Sequence, residues 1–352
     1  MIHIIRASHT NEFELQNYKG IDATVISSHN PLTQTSLPVI KFWSLTDLPN
    51  FPFRRQIFNR LFGGEQWLFG LKSYLSNHYH DSNHSSIVHT AETYTPYTHQ
   101  VVQLRKSGEI TKLICTCWET IPHNNEKFAR LRKWKQDAHR YIDIFHTPTE
   151  LAKQALISEG VDAKKIRVIP YGVDVARFDQ PVKKIKNKRP RILTVARLEI
   201  EKGMSIIEQV ASSLPEYDFL IVGTGAYNPR GNNIMVEQVE YSKIHSIYKS
   251  ADLFFLPSQP TPTWEEQYGM ALIEAMATGL PIVTTSCGAI EEVLGEAGII
   301  VGHKNVDKMV KTIKSIISYP EEKARYYRLS QKRASDLYDA KKAKIKLLAL
   351  YK

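Results

Sequence analysis

The sequence is poor in several features that would place the protein in a specialised class. Only three of its 352 residues are cysteine, Cys115, Cys117 and Cys287, and they show neither an even disulfide framework nor metal-ligand spacing. This usage is typical of a reducing cytoplasm. Because no run of about 18 apolar residues occurs, we expect no transmembrane helix. The start, MIHIIRASHT, turns polar too early for a signal peptide.

Acidic residues are also in deficit. The chain has 46 Lys and Arg against 36 Asp and Glu, a formal net charge of +10 at pH 7. Such a charge indicates an anionic partner, which is a nucleic acid, an anionic membrane or a phosphorylated substrate. The basic residues are spread along the chain without a helix-turn-helix, zinc-finger or ribonucleoprotein motif. We therefore expect no nucleic-acid partner, while an anionic substrate and peripheral contact with an anionic membrane remain open.

The length favours two domains, because a single hydrophobic core stops growing at about 250–300 residues. Short apolar runs alternate with helix-length segments, which predicts parallel sheets covered by helices. Five runs lie in the first half: IHIIRA, ATVISS, SIVHTA, KLICTCW and YIDIFHTP. Five lie in the second half: PRILTVARL, YDFLIVG, ADLFFLP, LPIVTT and AGIIV.

A charged, proline-bounded segment without apolar periodicity, FDQPVKKIKNKRP (178–190), has the composition of a linker between two α/β halves. We therefore expect an N-terminal domain over 1–168, a linker over 169–190 and a second domain over 191–320. A basic segment of helical character, 321–352, follows them.

The segment LTVARLEIEKG places two cations, Arg197 and Lys202, just beyond a strand. Open α/β sheets bind ligands at the carboxyl ends of their strands. Two cations five residues apart can clamp a diphosphate, Arg through its fork and Lys as a point charge. The alternative is two solvated loop cations. After the next strand, Gly223 and Gly225 allow close approach to a ligand or form a plain tight turn.

The strongest signal is SADLFFLPSQPTPTWEEQYGMALIEAMATG (250–279). A strand is followed by a loop, and a helix begins near Gly269, where the first backbone amides point towards an incoming anion. Glu266 lies in the loop, and Glu274 lies in an apolar helical run, where a carboxylate is costly unless it is paired. We interpret the two carboxylates as ligands for hydroxyls at both ends of a nucleotide sugar whose diphosphate lies at the helix start.

Together these motifs resemble the retaining glycosyltransferases of family 4, also called glycosyl transferases group 1. The resemblance covers most of residues 145–302. It implies the GT-B fold, in which two doubly wound Rossmann-like domains face a cleft, the second domain holds the nucleotide sugar and the C-terminal segment crosses back to the first. It rests on IPYGVDVARF (169–178), VARLEIEKG (195–203), VGTGAY (222–227), SADLFFLPS (250–258), the E-x7-E pair and GLPIVTTSCGAIEEVL (279–294).

The resemblance also implies residue roles. Arg197 and Lys202 would stabilise the departing diphosphate, and Glu266 would orient the transferred sugar. Donor binding would fall to Gly223, Gly225, Tyr268, Gly269, Met270 and Glu274. Family members retain the anomeric configuration, and the leaving phosphate takes the acceptor proton on the same face. The chain contains no D-x-D, so we expect no metal and no other cofactor beyond the nucleotide-sugar substrate.

The acceptor side falls in the N-terminal half. Where many family members have His-Asp after a strand, ICTCWETIPHN (114–124) has Trp118 and Glu119. Glu119, or His123 from the same loop, is therefore a candidate acceptor-side residue, and a surface acid with a loop histidine is the alternative. Tyr94 either lines an acceptor site or belongs to the capped start of a helix.

Two segments combine aromatic residues with cations. They are FPFRRQIFNRLFGGEQWLF (51–69) and KFARLRKWKQDAHRYIDIF (127–145). In the second, five residues share one helical face: Phe128, Leu131, Trp134, Ala138 and Tyr141. We favour a helix that packs on the sheet with its cations in water, and a membrane-surface helix remains the alternative.

The sequence therefore predicts a cytoplasmic, hexosyltransferase-like enzyme that moves a sugar from a nucleotide-diphosphate sugar to a hydroxyl acceptor. A glycan, a lipid-linked acceptor or a small molecule would each fit. A non-catalytic sugar-nucleotide-binding protein and a sugar-nucleotide epimerase of the same fold remain alternatives, because a fold alone does not establish activity.

Overall fold

The computed structural model describes residues 2–80, 86–180 and 187–352, with only the backbone of His80. Part of the predicted linker, 181–186, lies outside the described residues. The chain divides into two compact units, which we treat separately. The first comprises Met1–Pro170 and Ala343–Lys352, and the second comprises Tyr171–Lys342.

The first unit is built on a seven-stranded sheet. Its strands are β1 (Ile2–Ala7), β2 (Ala23–Ser27), β3 (Val39–Lys41), β4 (Ile87–Ala91), β5 (Lys112–Thr116), β6 (Ile144–Thr147) and β7 (Ile166–Val168). All neighbours are parallel, in the order β3-β2-β1-β4-β5-β6-β7. The strand order therefore reverses between β1 and β4.

The second unit contains a six-stranded parallel sheet. Its strands are β8 (Arg191–Val195), β9 (Asp218–Val222), β10 (Ile234–Glu237), β11 (Leu253–Leu256), β12 (Ile282–Thr285) and β13 (Ile299–Val301). They lie in the order β10-β9-β8-β11-β12-β13, so the reversal falls between β8 and β11.

Helices connect most consecutive strands. Those of the first unit are α1 (Glu12–Leu15), α2 (Arg54–Phe62), α3 (Leu71–His80), α4 (Pro96–Lys106), α5 (Ala129–Tyr141) and α6 (Glu150–Ser158). Those of the second are α7 (Val175–Asp179), α8 (Met204–Ser212), α9 (Ile244–Lys249), α10 (Met270–Thr278), α11 (Ile290–Leu294), α12 (Val306–Ser318) and α13 (Pro320–Leu337). The last helix, α14 (Ala340–Leu348), begins in the second unit and ends in the first. Across the described ranges, each helix is too short or too polar to cross a bilayer.

All ten predicted runs contain a strand, and their parallel pairing is confirmed. Three short strands escaped prediction, and each lies at an edge of its sheet: β3, β7 and β10. An edge strand has one neighbour and one side open to water, so it needs no continuous apolar run. In β10, three of the four residues are exposed.

A buried ion pair lies near the amino end of the chain. Arg6, in β1, is 1% exposed, and its Nε donates to Glu14 Oε1 over 2.7 Å. Arg6 Nη1 also donates to the carbonyl oxygens of Ile5 and His89. Because both charges are removed from water, their mutual contact compensates a desolvation cost that neither group could bear alone.

Residues 343–352 complete the core of the first unit. Leu347 and Leu350 are buried there. The hydroxyl of Tyr351 lies 2.6 Å from His89 Nδ1, in the middle of the sheet. Burial, and the nearby Arg6 charge, hold the pKa of His89 well below its usual value, so this histidine is neutral.

Candidate donor site in the second unit

The candidate site lies at the carboxyl edge of the second sheet. The loops that leave β8 and β11 depart on opposite sides of the reversal in strand order, and such a point forms a ligand-binding crevice. The loop after β8 carries Arg197 and Lys202, and the loop after β11 carries Glu266. The predicted residues therefore come from the two loops that line this switch point.

Lys202 and Glu266 are in direct contact. Lys202 Nζ donates to Glu266 Oε2 over 2.6 Å, and the two side chains are only 12% and 11% exposed. Ser258 Oγ lies 3.3 Å from the same carboxylate oxygen. The ammonium also lies 4.8 Å from the ring centre of Trp264, a cation–π distance. The two charges, 64 positions apart in the chain, are thus fixed beside each other.

Arg197 differs from Lys202 in its surroundings. Its side chain is 61% exposed, and Nη2 lies 3.8 Å from Oε1 of Glu201, which follows it in the same loop. A surface pair at this separation contributes little energy. Arg197 is therefore available to an anion at a small cost, whereas Lys202 must leave or share its carboxylate partner.

The two glycines after β9 bring backbone close to backbone. A Cβ atom on Gly223 would lie 1.9 Å from the carbonyl oxygen of Ala196, and one on Gly225 would lie 2.3 Å from that of Leu198. Leu198 and Gly225 also form an isolated parallel bridge. The close approach seen here is between two loops of the site, which holds the cation-bearing loop in place.

Helix α10 begins directly behind Glu266. Gly269 is its N-cap with φ of 78°, a left-handed conformation that favours glycine, and no side chain caps this end. Tyr268 is buried, and its hydroxyl donates to the carbonyl oxygen of Tyr171 over 2.5 Å. Met270 opens the first turn. The amino end of α10 therefore offers backbone amides and a positive dipole end to an anion.

Glu274 lies inside α10 and is 4% exposed. Its Oε2 lies 2.7 Å from the hydroxyl of Tyr248, which itself packs beneath the helix. Burial raises the pKa of Glu274 to about 7, against the opposing effects of hydrogen bonds from Tyr248 and Tyr241 and of the Arg177 charge. The helix tolerates this carboxyl because the hydroxyl of Tyr248 satisfies it.

This raised pKa gives a testable pH dependence. Between about pH 4.5 and 7 the folded state keeps a proton on Glu274 that the unfolded state releases, so stability falls as pH rises through this window. Glu274→Gln is neutral throughout. The unsubstituted protein should therefore lose roughly 1–3 kcal/mol of unfolding free energy between pH 5 and pH 8 that the Glu274→Gln variant does not lose. Urea unfolding at the two pH values measures this difference, and parallel curves would contradict the assignment.

The acceptor-side candidates lie in the first unit. Glu119 is engaged within its own loop: Oε1 accepts from the backbone amides of Thr120 and Ile121, and Oε2 accepts from the side-chain amides of Asn124 and Asn125. Glu119 therefore shapes the loop after β5 by fixing its backbone.

His123 and Tyr94 occupy different surroundings. The side chain of His123 is 61% exposed, and its Nδ1 lies 3.3 Å from Glu126 Oε1. Tyr94 lies in the loop between β4 and α4, and burial, together with the charges of Glu92 and Glu119, raises its pKa. The structure thus brings Tyr94 near Glu119, while His123 points to solvent.

Sequence reasoning missed Glu92, the residue that directly follows β4. Its Oε1 accepts from the backbone amide of Trp118 over 2.8 Å, and burial raises its pKa to about 8. Its φ of 60° is unusual for a residue other than glycine. One sequence signal could have identified Glu92: it is a carboxylate at the carboxyl end of β4. That strand lies beside β1, where the strand order reverses.

Two family models match consecutive parts of the chain. The model described as Glycosyltransferase Family 4 matches residues 14–177, and the one described as Glycosyl transferases group 1 matches residues 175–333. Together they account for both units apart from the chain ends.

Curated relatives match over part of their length. The sulfoquinovosyl transferase of Arabidopsis thaliana is 23% identical over 201 residues, which is 51% of this chain and 38% of that protein. A putative colanic acid biosynthesis glycosyltransferase of Escherichia coli is 28% identical over 209 residues, 54% of this chain and 52% of that protein. The chain thus spans about half or less of the length of these relatives.

Solved structures match over nearly the whole chain. HepE of Anabaena, in complex with UDP and glucose, has a TM-score of 0.77 at 16% identity and covers 99% of this chain and 98% of its own. Sucrose-phosphate synthase of Thermosynechococcus elongatus gives 0.76 at 15% identity with the same coverage. At such identities the likeness shows the fold alone, and it confirms the predicted GT-B class with its two Rossmann-like domains. The chain belongs to glycosyltransferase family 4, the glycosyl transferases group 1.

Proposed function

We propose that this protein is a retaining glycosyltransferase that moves a sugar from a nucleotide-diphosphate sugar to a hydroxyl acceptor. The observation that carries the proposal is the Lys202–Glu266 pair, set at the switch point between β8 and β11 in front of the uncapped amino end of α10. A cation, an anion-binding helix end and a carboxylate together suit a substrate that joins a diphosphate to a sugar.

The reaction breaks the bond between the anomeric carbon and the diphosphate oxygen, and it forms a bond from that carbon to the acceptor oxygen. The acceptor proton passes to the leaving phosphate on the same face, which conserves configuration. Negative charge grows on the diphosphate as the bond breaks. Lys202 and Arg197 stabilise that charge, and Glu266 orients the sugar and eases positive charge at the anomeric carbon.

The remaining residues hold the donor. Gly269 and Met270 present backbone amides to the phosphates at the start of α10. Glu274 holds ribose hydroxyls, with Tyr248 as its resident partner. Tyr268, anchored by its hydrogen bond to Tyr171, fixes the backbone just before α10. Gly223 and Gly225 hold the loop that carries Arg197 and Lys202 through their close backbone contacts.

Two further aspects belong to the proposal. The cations make a metal unnecessary for leaving-group stabilisation, so transfer proceeds in its absence. The acceptor hydroxyl is received in the first unit by Tyr94, Glu119 and His123, the candidates named from the sequence. The Anabaena neighbour, solved with UDP-glucose, supports a nucleotide sugar as the donor class.

A thermal-shift panel of UDP-, GDP- and ADP-sugars tests donor binding and metal dependence together. A donor present at about 100 times its Kd should stabilise the protein by roughly 2.7 kcal/mol, with or without EDTA. Glu274→Ala should weaken the shift, while Lys314→Met, a lysine paired with Glu216 elsewhere in the same unit, should leave it unchanged. A shift that EDTA abolishes would contradict the metal-free proposal.

Turnover distinguishes an enzyme from a binding protein. Release of the nucleoside diphosphate in the presence of a hydroxyl acceptor, with the anomeric configuration of the product read by NMR, reports transfer and stereochemistry. Retained configuration supports the proposal, whereas inversion, or stabilisation without any turnover, would overturn it.

A further inference from the structure

The first unit carries a basic, apolar surface that the proposed reaction does not use. We call it the α2–α5 face and define it as residues 51–61 and 127–133. Five large apolar side chains on it are substantially exposed: Phe51 (40%), Phe53 (73%), Ile57 (42%), Leu61 (61%) and Phe128 (49%). Single exposed apolar residues are ordinary, but a cluster of this kind indicates an interaction site.

Three exposed apolar residues at the N-cap and within α2 form a line. Phe53, Ile57 and Leu61 are spaced four apart, so they lie along one side of the helix. Phe58, about 100° further round the helix axis from Ile57, is buried and contacts the ring of Phe51. Helix α2 therefore rests on the unit through Phe58 and presents a stripe of apolar side chains, flanked by cations, to water.

Helix α5 extends this surface. Arg130 Nη1 donates to the carbonyl oxygens of Arg60 and Leu61, so the start of α5 lies against the end of α2. Further along α5, Trp134 and Ala138 are buried. The predicted packing of this helix on the unit thus holds for its second half, while its first turn and Phe128 face solvent.

Most cations of this face are not paired with an acidic residue. Residues 51–64 and 127–136 contain no Asp or Glu. Arg54 and Lys135 are paired with Glu65 and Glu159. The other cations are exposed and form no ion pair with any described residue: Arg55, Arg60, Lys127, Arg130, Arg132 and Lys133.

We propose that the α2–α5 face docks the protein on an anionic lipid surface. Phe, Ile and Leu side chains enter the boundary between headgroups and acyl chains, while the six cations meet anionic headgroups. A second copy of this chain fits poorly, because the face would place like charges opposite each other. A single-stranded nucleic acid would use flat rings for stacking, and the aliphatic Ile57 and Leu61 offer none.

Vesicle flotation tests this proposal without donor or acceptor, so its outcome is independent of the transfer reaction. The full chain should bind vesicles of phosphatidylcholine mixed with phosphatidylglycerol, and salt should weaken the binding. Phe53→Ser/Leu61→Ser should lower the partition coefficient by at least about tenfold. Arg132→Ser and Lys133→Ser should each lower it about fivefold.

Matched controls show whether an effect on vesicle binding is specific to the α2–α5 face or follows from any similar surface substitution. Leu32 is 61% exposed, as Leu61 is, and Lys346 is exposed on α14. Leu32→Ser and Lys346→Ser should bind vesicles as the unsubstituted protein does.

Four results would overturn the proposal. The unsubstituted protein could fail to bind anionic vesicles, or the Phe53→Ser/Leu61→Ser variant could bind them equally well. The same variant could instead convert a dimer into a monomer, or lose binding to a single-stranded oligonucleotide while keeping vesicle binding. The last two outcomes would assign the face to self-association or to nucleic acid.

Discussion

Lys202→Met is expected to lower the rate constant of donor turnover by roughly 10²–10³-fold, the usual cost of removing one preorganised group that stabilises developing charge. Lys202 is held within 2.6 Å of Glu266 and is nearly buried, so water cannot replace it easily. Steady-state kinetics with the donor found by thermal shift, and with water as acceptor where no better one is known, measure the effect. Binding of the donor should weaken less than turnover, because charge grows on the diphosphate only as the bond breaks.

Glu266→Gln extends the same experiment. Because the two side chains are in direct contact, the double variant should lose much less than the product of the two single losses. Lys314→Met is the matched control, since Lys314 pairs with Glu216 at the amino end of β9, the sheet edge away from the site. Additive losses, or an equal loss in Lys314→Met, would contradict a shared role of Lys202 and Glu266.

Glu14→Gln is expected to destabilise the protein by about 3–5 kcal/mol, the range for a buried charge left without its partner. Arg6, which is 1% exposed, would keep its charge beside the neutral carbonyl oxygens of Ile5 and His89. Urea unfolding at neutral pH measures the loss.

A surface pair of the same length provides the control. Lys332 and Asp336 are also 2.7 Å apart, but both are largely exposed. Asp336→Asn should leave the urea midpoint unchanged, because exposed pairs contribute little. Arg6→Met/Glu14→Leu should be more stable than Glu14→Gln, since it removes both charges. Equal destabilisation in the buried and exposed pairs would refute burial as the cause.

Prediction from the sequence succeeded where burial leaves a strong pattern. The inner strands of a parallel sheet are covered on both faces, and they read as continuous apolar runs such as LFF in β11. The edge strands β3, β7 and β10 escaped because solvent on one side relaxes that requirement. Prediction is limited in the same way for α5. The apolar stripe along this helix does not reveal that only its second half is buried against the first unit.

The sequence named candidate residues for the site, but it did not predict the contacts between them. The motifs and the strand-end rule pointed to Lys202 and Glu266, but their ion pair depends on how two loops meet, which no local pattern encodes. Tyr248, which hydrogen-bonds to Glu274, lies 26 positions away on another helix. Glu92 belongs to no motif, and its contact with Trp118 depends on the pairing of β4 with β5.

The placement of residues 343–352 in the first unit has a consequence for biosynthesis. The ribosome makes residues 1–170 first, then the whole second unit, and only afterwards the segment that brings Tyr351 to His89. Until then the nascent first unit lacks the buried side chains of Leu347 and Leu350, and the surface that they cover is exposed. Folding of this protein cannot be strictly vectorial, because the unit that is translated first is the last to close.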